Sequence, residues 1–235
     1  MPGTGQCETG VVNDALVTSR RSVRSRATLT GEHLRHLAAL ADADHAFFTR
    51  SGGRPEYRPR RLVVVLAQGA ALHYLHDRDG DIYPDPGIKD LDVWTFYSAL
   101  PACRFPADKR ETHADFGRSV FGRQRYDLAV ARHAHERARW RRWSAYSGRR
   151  VDFLMRALPV PVDAPISSVV KGLREWLSRG ARSTAASKPS AWYLARKAVV
   201  VLSPESACGD VVWPVPPDGE YQPPRLPGSR DTHLA

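Results

Sequence analysis

Residues 87–94 read Gly-Ile-Lys-Asp-Leu-Asp-Val-Trp, two aspartates one residue apart inside a run that otherwise has the character of a buried strand. Successive side chains of a strand alternate faces, so Asp90 and Asp92 point one way and Leu91 and Val93 the other. Neighbouring carboxylates on one face repel. The arrangement is costly unless a cation lies between them, and Mg²⁺, which prefers hard oxygen ligands, is the natural candidate. A pair of surface aspartates at a strand end is the alternative that the spacing alone leaves open.

Two further segments narrow the reading. Residues 61–67, Arg-Leu-Val-Val-Val-Leu-Ala, form a short apolar run rich in β-branched residues, the pattern of a fully buried strand. It runs into Gln68-Gly69-Ala70-Ala71, a turn of small residues where backbone N–H groups can approach a phosphate closely. Downstream, residues 149–155 read Arg-Arg-Val-Asp-Phe-Leu-Met, a second apolar strand holding one carboxylate. A buried strand does not carry Asp152 between Val151 and Phe153 without a partner. That partner is either a metal shared with Asp90 and Asp92, or Arg149 or Arg150.

The order strand, glycine turn, Asp-x-Asp strand, later strand with a third aspartate resembles the nucleotidyltransferase superfamily with the polymerase β type of fold. The phrases Gln-Gly-Ala-Ala-Leu-His-Tyr, Gly-Ile-Lys-Asp-Leu-Asp-Val-Trp-Thr-Phe-Tyr and Gly-Arg-Arg-Val-Asp-Phe-Leu are similar to a bacterial nucleotidyltransferase-like group. The likeness implies an α+β fold, a small mixed β-sheet packed by helices. It implies nucleotide phosphates at Gly69 and Ala70 with Lys89 beside them, and Mg²⁺ or Mn²⁺ held by Asp90, Asp92 and Asp152. The implied reaction moves a nucleoside monophosphate from a nucleoside triphosphate to an acceptor hydroxyl of a small molecule, protein or RNA. The superfamily usually has Gly-Ser at the turn, where this chain has Gly69-Ala70, and its spacing from the turn to the paired acids is shorter. The alternative on the same fold is a non-catalytic nucleotide- or nucleic-acid-binding protein, such as a sensor or a toxin–antitoxin-type partner.

Composition sets outer bounds. No run approaches the ~18 apolar residues of a membrane span, and the first residues are polar, so no membrane and a cytoplasmic location are expected. Three cysteines at unpaired spacing read as free thiols. The net charge of +10 favours anionic partners, nucleic acid among them, although 30 of the 35 basic residues are arginine, a bias a GC-rich coding sequence also produces.

The expected organisation is a flexible basic arm over 1–26, a nucleotidyltransferase-like core over 27–160, a C-terminal helical part over 161–213 and a Pro-rich disordered tail over 214–235. Helices are expected from Thr30 to about Arg50, over 70–76, 126–147, 165–179 and 191–202, and strands over 62–68, 90–97 and 151–155. The segment 101–125 reads as an extended basic loop. The aspartates between His76 and Gly87 suggest a loop near the site; a calcium loop would need a glutamate that is absent. In 126–147, Trp140 and Trp143 share a helical face suited to docking, with arginines around the rest. Basic residues interleaved with tryptophan can also bind single strands. Lys197, placed on the helix over 191–202, is within reach of a phosphate.

Overall fold

The computed structural model describes residues 29–78, 88–101, 103–106, 111–118, 134–143 and 145–214. The N-terminal arm, the aspartate-rich loop over 79–87, much of the basic loop and the Pro-rich tail beyond 214 lie outside the described residues. Helix α1 (Gly31–Phe48) begins at Thr30, whose backbone N–H donates to His33 Nδ1 at 3.1 Å, so a histidine stands where a capping box usually has Glu or Gln. It ends before Gly52, which takes a left-handed conformation at φ 80°.

Strand β1 (Arg61–Ala67) leads directly into α2 (Gln68–Arg78), and β2 is Leu91–Ser98. Then follow β3 (Thr112–Asp115), α3 (Ala134–Trp143), β4 (Arg150–Leu158), α4 (Ile166–Ala181), α5 (Ser190–Leu194), β5 (Ala198–Ser203) and β6 (Val211–Trp213). The six strands form one mixed sheet in the order β3-β4-β2-β1-β5-β6. The pair β2–β4 is parallel and the others are antiparallel. The class is α+β.

Both faces of the sheet are covered, which is why β1 reads as unbroken apolar sequence. On one face Val64, Leu66, Leu91, Val93 and Phe153 pack under Leu34, Leu37 and Ala41 of α1 and Ala71 and Leu75 of α2. On the other, Val63, Val65, Ala67, Trp94, Phe96, Val199 and Val201 pack under Val169, Leu173 and Leu177 of α4. Burying these aliphatic and aromatic side chains, at about 1.5–3 kcal/mol each, is the main stabilising contribution.

Three expectations are corrected. The helix expected over 191–202 is a five-residue helix followed by β5. The run Ala198-Val-Val-Val-Leu is β-branched, and the inner strand β1 needs a partner on its second edge, which β5 supplies. The part over 161–213 is therefore not purely helical, since β5 and β6 extend the same sheet. Inside the expected loop over 101–125, Thr112–Asp115 forms an edge strand on β4. Among the described residues no helix is long and apolar enough to cross a membrane.

Candidate active site

The direction of the strands gathers the site. β1 ends where β2, β4 and β5 begin, so one end of the sheet collects the end of β1 and the starts of the other three. The pairing sets His113, Asp152, Asp92, Ala67 and Val199 side by side across five strands. Asp92 shares its face with Trp94 and Phe96, while Leu91 and Val93 point to the opposite core, as period-two alternation requires. Asp90, Asp92 and Asp152 are thus neighbours, although Asp152 lies 60 positions beyond Asp92.

The neighbourhood is also occupied by cations of the chain itself. Arg150, fully buried, places Nη2 on Asp152 Oδ2 and within 3.4 Å of Asp90 Oδ2. Its guanidinium lies 3.2 Å from the ring centroid of Trp143, which explains the docking of that tryptophan from α3. His113 Nδ1 donates to Asp152 Oδ1 at 2.9 Å. Lys89 Nζ stands 3.9 Å from Asp90 Oδ2 and over the same Trp143 ring at 4.9 Å. Asp152 therefore has both oxygens engaged, and Arg150, one of the alternatives the sequence left open, is a partner. The second partner, His113, carried no sequence signal beyond its place in the Thr-His-Ala-Asp edge strand.

Asp92 differs from the other two acids. It takes part in no hydrogen bond or ion pair with the described residues. Burial and then the charges of Asp90 and Asp152 push its carboxyl up from 3.8 to about 8, against the opposing pull of Arg150 and Lys89. A carboxylate in this state calls for a proton or a cation.

The edge of the site is fixed by Asp115. Burial raises its carboxyl, but hydrogen bonds from the Ser147 hydroxyl and from the backbone N–H groups of Gly117, Ser147 and Gly148 outweigh this and hold it below the ordinary value. This ties the end of β3 to the turn before β4 and so sets His113 against Asp152. A Cβ on Gly148 would stand 1.8 Å from the Gly117 carbonyl oxygen, so the closeness of the two chains demands glycine there.

At the glycine turn the left-handed residue is Gln68, at φ 63°, and not Gly69. A Cβ on Gly69 would meet one atom within 4 Å, Lys197 Nζ at 3.5 Å. Lys197 is held there by the bridge between Gln68 and Ala198 at the start of β5. The lysine expected on a helix thus stands ahead of a strand and directly over the turn. Ala70 is buried in the core.

The donor set bears on the expected metal. Among the described residues no three His, Cys, Asp or Glu side chains are placed to ligate one ion. A pair of acids is enough for Mg²⁺, which keeps waters and is usually bound through one or two carboxylates plus substrate phosphates. Among the described residues Asp92 has no hydrogen bond or ion pair and Asp90 is engaged only through Oδ2, and both fit that role. Asp152 joins them only when Arg150 and His113 release it. No family model, curated protein or solved structure matches this chain.

Proposed function

We propose that the chain is a metal-dependent nucleotidyltransferase whose site lies at the shared end of β1, β2, β4 and β5. The observation that carries the reading is Asp92, a carboxylate with no hydrogen bond or ion pair among the described residues, held well above the ordinary carboxyl value beside Asp90 and Asp152, at the same end of the sheet as the turn under Lys197. Asp90 and Asp92 would hold Mg²⁺, which when bound draws charge from the phosphate oxygens and favours attack at the α-phosphorus. Lys197 and the half-buried backbone of Gly69 bind the triphosphate tail. Asp152, once His113 and Arg150 release it as metal and substrate enter, receives the proton of the acceptor hydroxyl. The acceptor oxygen then bonds to the α-phosphorus as the bond to the bridging oxygen breaks, and pyrophosphate leaves.

The second reading, a nucleotide-binding protein without turnover, is favoured by Arg150, which already supplies Asp90 and Asp152 with positive charge, and by the absence of a serine at position 70. Incubating the protein with each α-labelled nucleoside triphosphate, Mg²⁺ and cell extract separates the two. Label in a product formed by wild type and not by Asp92→Asn supports transfer. Mg²⁺-dependent triphosphate binding with no pyrophosphate released by any of the four refutes transfer and leaves binding.

A further inference from the structure

The chain from Arg179 to Lys197 contains five cations and no acid. None of Arg179, Arg182, Lys188, Arg196 and Lys197 forms an ion pair with the described residues, which is unusual on a surface where opposite charges ordinarily intersperse. Their placement is ordered. Arg179 and Arg182, with Ser183, Thr184 and the Trp176 ring, line an open cleft of about 580 Å³ at the end of α4. That volume lies within the ~300–1,000 Å³ typical of ligand sites. The cleft wall is set by close packing: a Cβ on Gly180 would stand 2.2 Å from Ala191 Cβ, so α4 and α5 meet at a glycine. Lys188 donates to the Ser183 carbonyl at 3.1 Å and also lies 5.6 Å from the Trp192 centroid. Arg196 covers the same ring at 4.5 Å, Tyr193 meets it edge-on at 5.0 Å, and Tyr193 itself is 52% exposed. The next residue after Arg196 is Lys197, over the glycine turn.

We infer that this surface, from the cleft across α5 to Lys197, seats a single-stranded polynucleotide and leads its end to the acid cluster. The inference rests on the proposed transfer reaction and names its acceptor class. Cations spread over this surface match a phosphate backbone, and the exposed Tyr193 ring beside the half-buried Trp192 indole, with Lys188 and Arg196 on it, matches unpaired bases, which stack on aromatic and guanidinium planes without need of sequence readout. A duplex hides its base faces and does not use Tyr193 in this way. An acidic peptide would match the charges but leaves the aromatic rings unexplained.

The test is fluorescence anisotropy of a labelled 15-nucleotide RNA and its DNA counterpart with the full chain, across a salt series. Wild type should bind either single strand better than a duplex of the same length, with a log–log salt slope of up to about −3.5 if all five cations meet phosphates. Arg182→Ala/Arg196→Ala should flatten that slope by about 1.4, and Tyr193→Ala should weaken binding roughly 5- to 100-fold. All three changes lie on the surface, and a melting curve checks that each variant is folded. Unchanged affinity and slope in both variants overturns the inference, as does equal binding to duplex, to a poly-glutamate peptide or to phosphatidylserine vesicles. Oligonucleotide binding lost in these variants but without label transfer supports the surface and counts against the proposed reaction. Transfer to another acceptor by a protein with no oligonucleotide affinity overturns the surface and leaves the reaction standing.

Discussion

Replacing Asp92 by Asn should stabilise the protein while removing metal-dependent activity. The folded-state carboxyl is pushed up from 3.8 to about 8 by burial and by Asp90 and Asp152. Because the folded value lies above the unfolded one, the stability is fully present below about pH 4 and is lost as pH rises toward 8. A shift of about 4 units, at 1.36 kcal/mol per unit, is a ceiling of roughly 6 kcal/mol above pH 8 and about 4 kcal/mol at pH 7. Asn has the same shape, stays neutral and escapes that loss. Allowing half the ceiling for relaxation and entering water, the mutant should gain ~2 kcal/mol at pH 7, or about 4–8 °C in Tm for a chain of this size. The assay is thermal unfolding of both proteins from pH 4 to pH 9 in EDTA, then in excess Mg²⁺. The two midpoints should coincide near pH 4 and diverge as pH rises. Mg²⁺ at 100 times its Kd should add about 2.7 kcal/mol to wild type and less to the mutant. A mutant that melts below wild type at pH 8 in EDTA refutes the reasoning, for Asp92 would then be a structural hydrogen-bonding group.

Arg150→Met leaves three carboxylates around a buried site without their main internal cation. It should cost about 3–5 kcal/mol in EDTA, with a larger recovery on adding Mg²⁺ than wild type shows, read by denaturant titration. Gly69→Val places branched methyl groups against Lys197 Nζ, so triphosphate affinity by calorimetry should fall at least ~10-fold while the unfolding free energy changes by less than ~1 kcal/mol. Unchanged affinity would remove the turn from the phosphate site. Asp115→Asn should weaken the protein at neutral pH by about 2 kcal/mol through lost charge-assisted hydrogen bonds. The folded carboxyl of Asp115 is depressed, so its contribution is present above the ordinary aspartate value and is lost as pH falls through the folded value. Wild type and mutant should therefore converge in acid, and a constant difference down to pH 2 would exclude this role.

Much of the sheet was legible because its strands carry their period in the sequence. The alternation of Asp90, Leu91, Asp92, Val93 and Trp94 assigned both acids to one face, and the β-branched run of β1 announced a strand buried on both sides. The stripe Leu34, Leu37, Ala41 did the same for α1. In these segments burial and local pattern agree, so no distant contact is needed to choose the conformation. The strand β5 carried its own β-branched signal, but helical spacing from Trp192 onward competed with it, and the open edge of β1 decided the outcome. For β3, Thr-His-Ala-Asp has no apolar alternation, and only the edge of β4 makes it a strand. The partners of the acids were likewise beyond local reading. A sequence states that Asp152 needs a partner, but parallel pairing of β2 with β4 is what sets it beside Asp92. Packing of Trp143 is what presses Arg150 onto it. Charge placed between strands distant in sequence is a property of the assembled sheet, because Coulomb interactions depend on separations in space that local propensity does not encode.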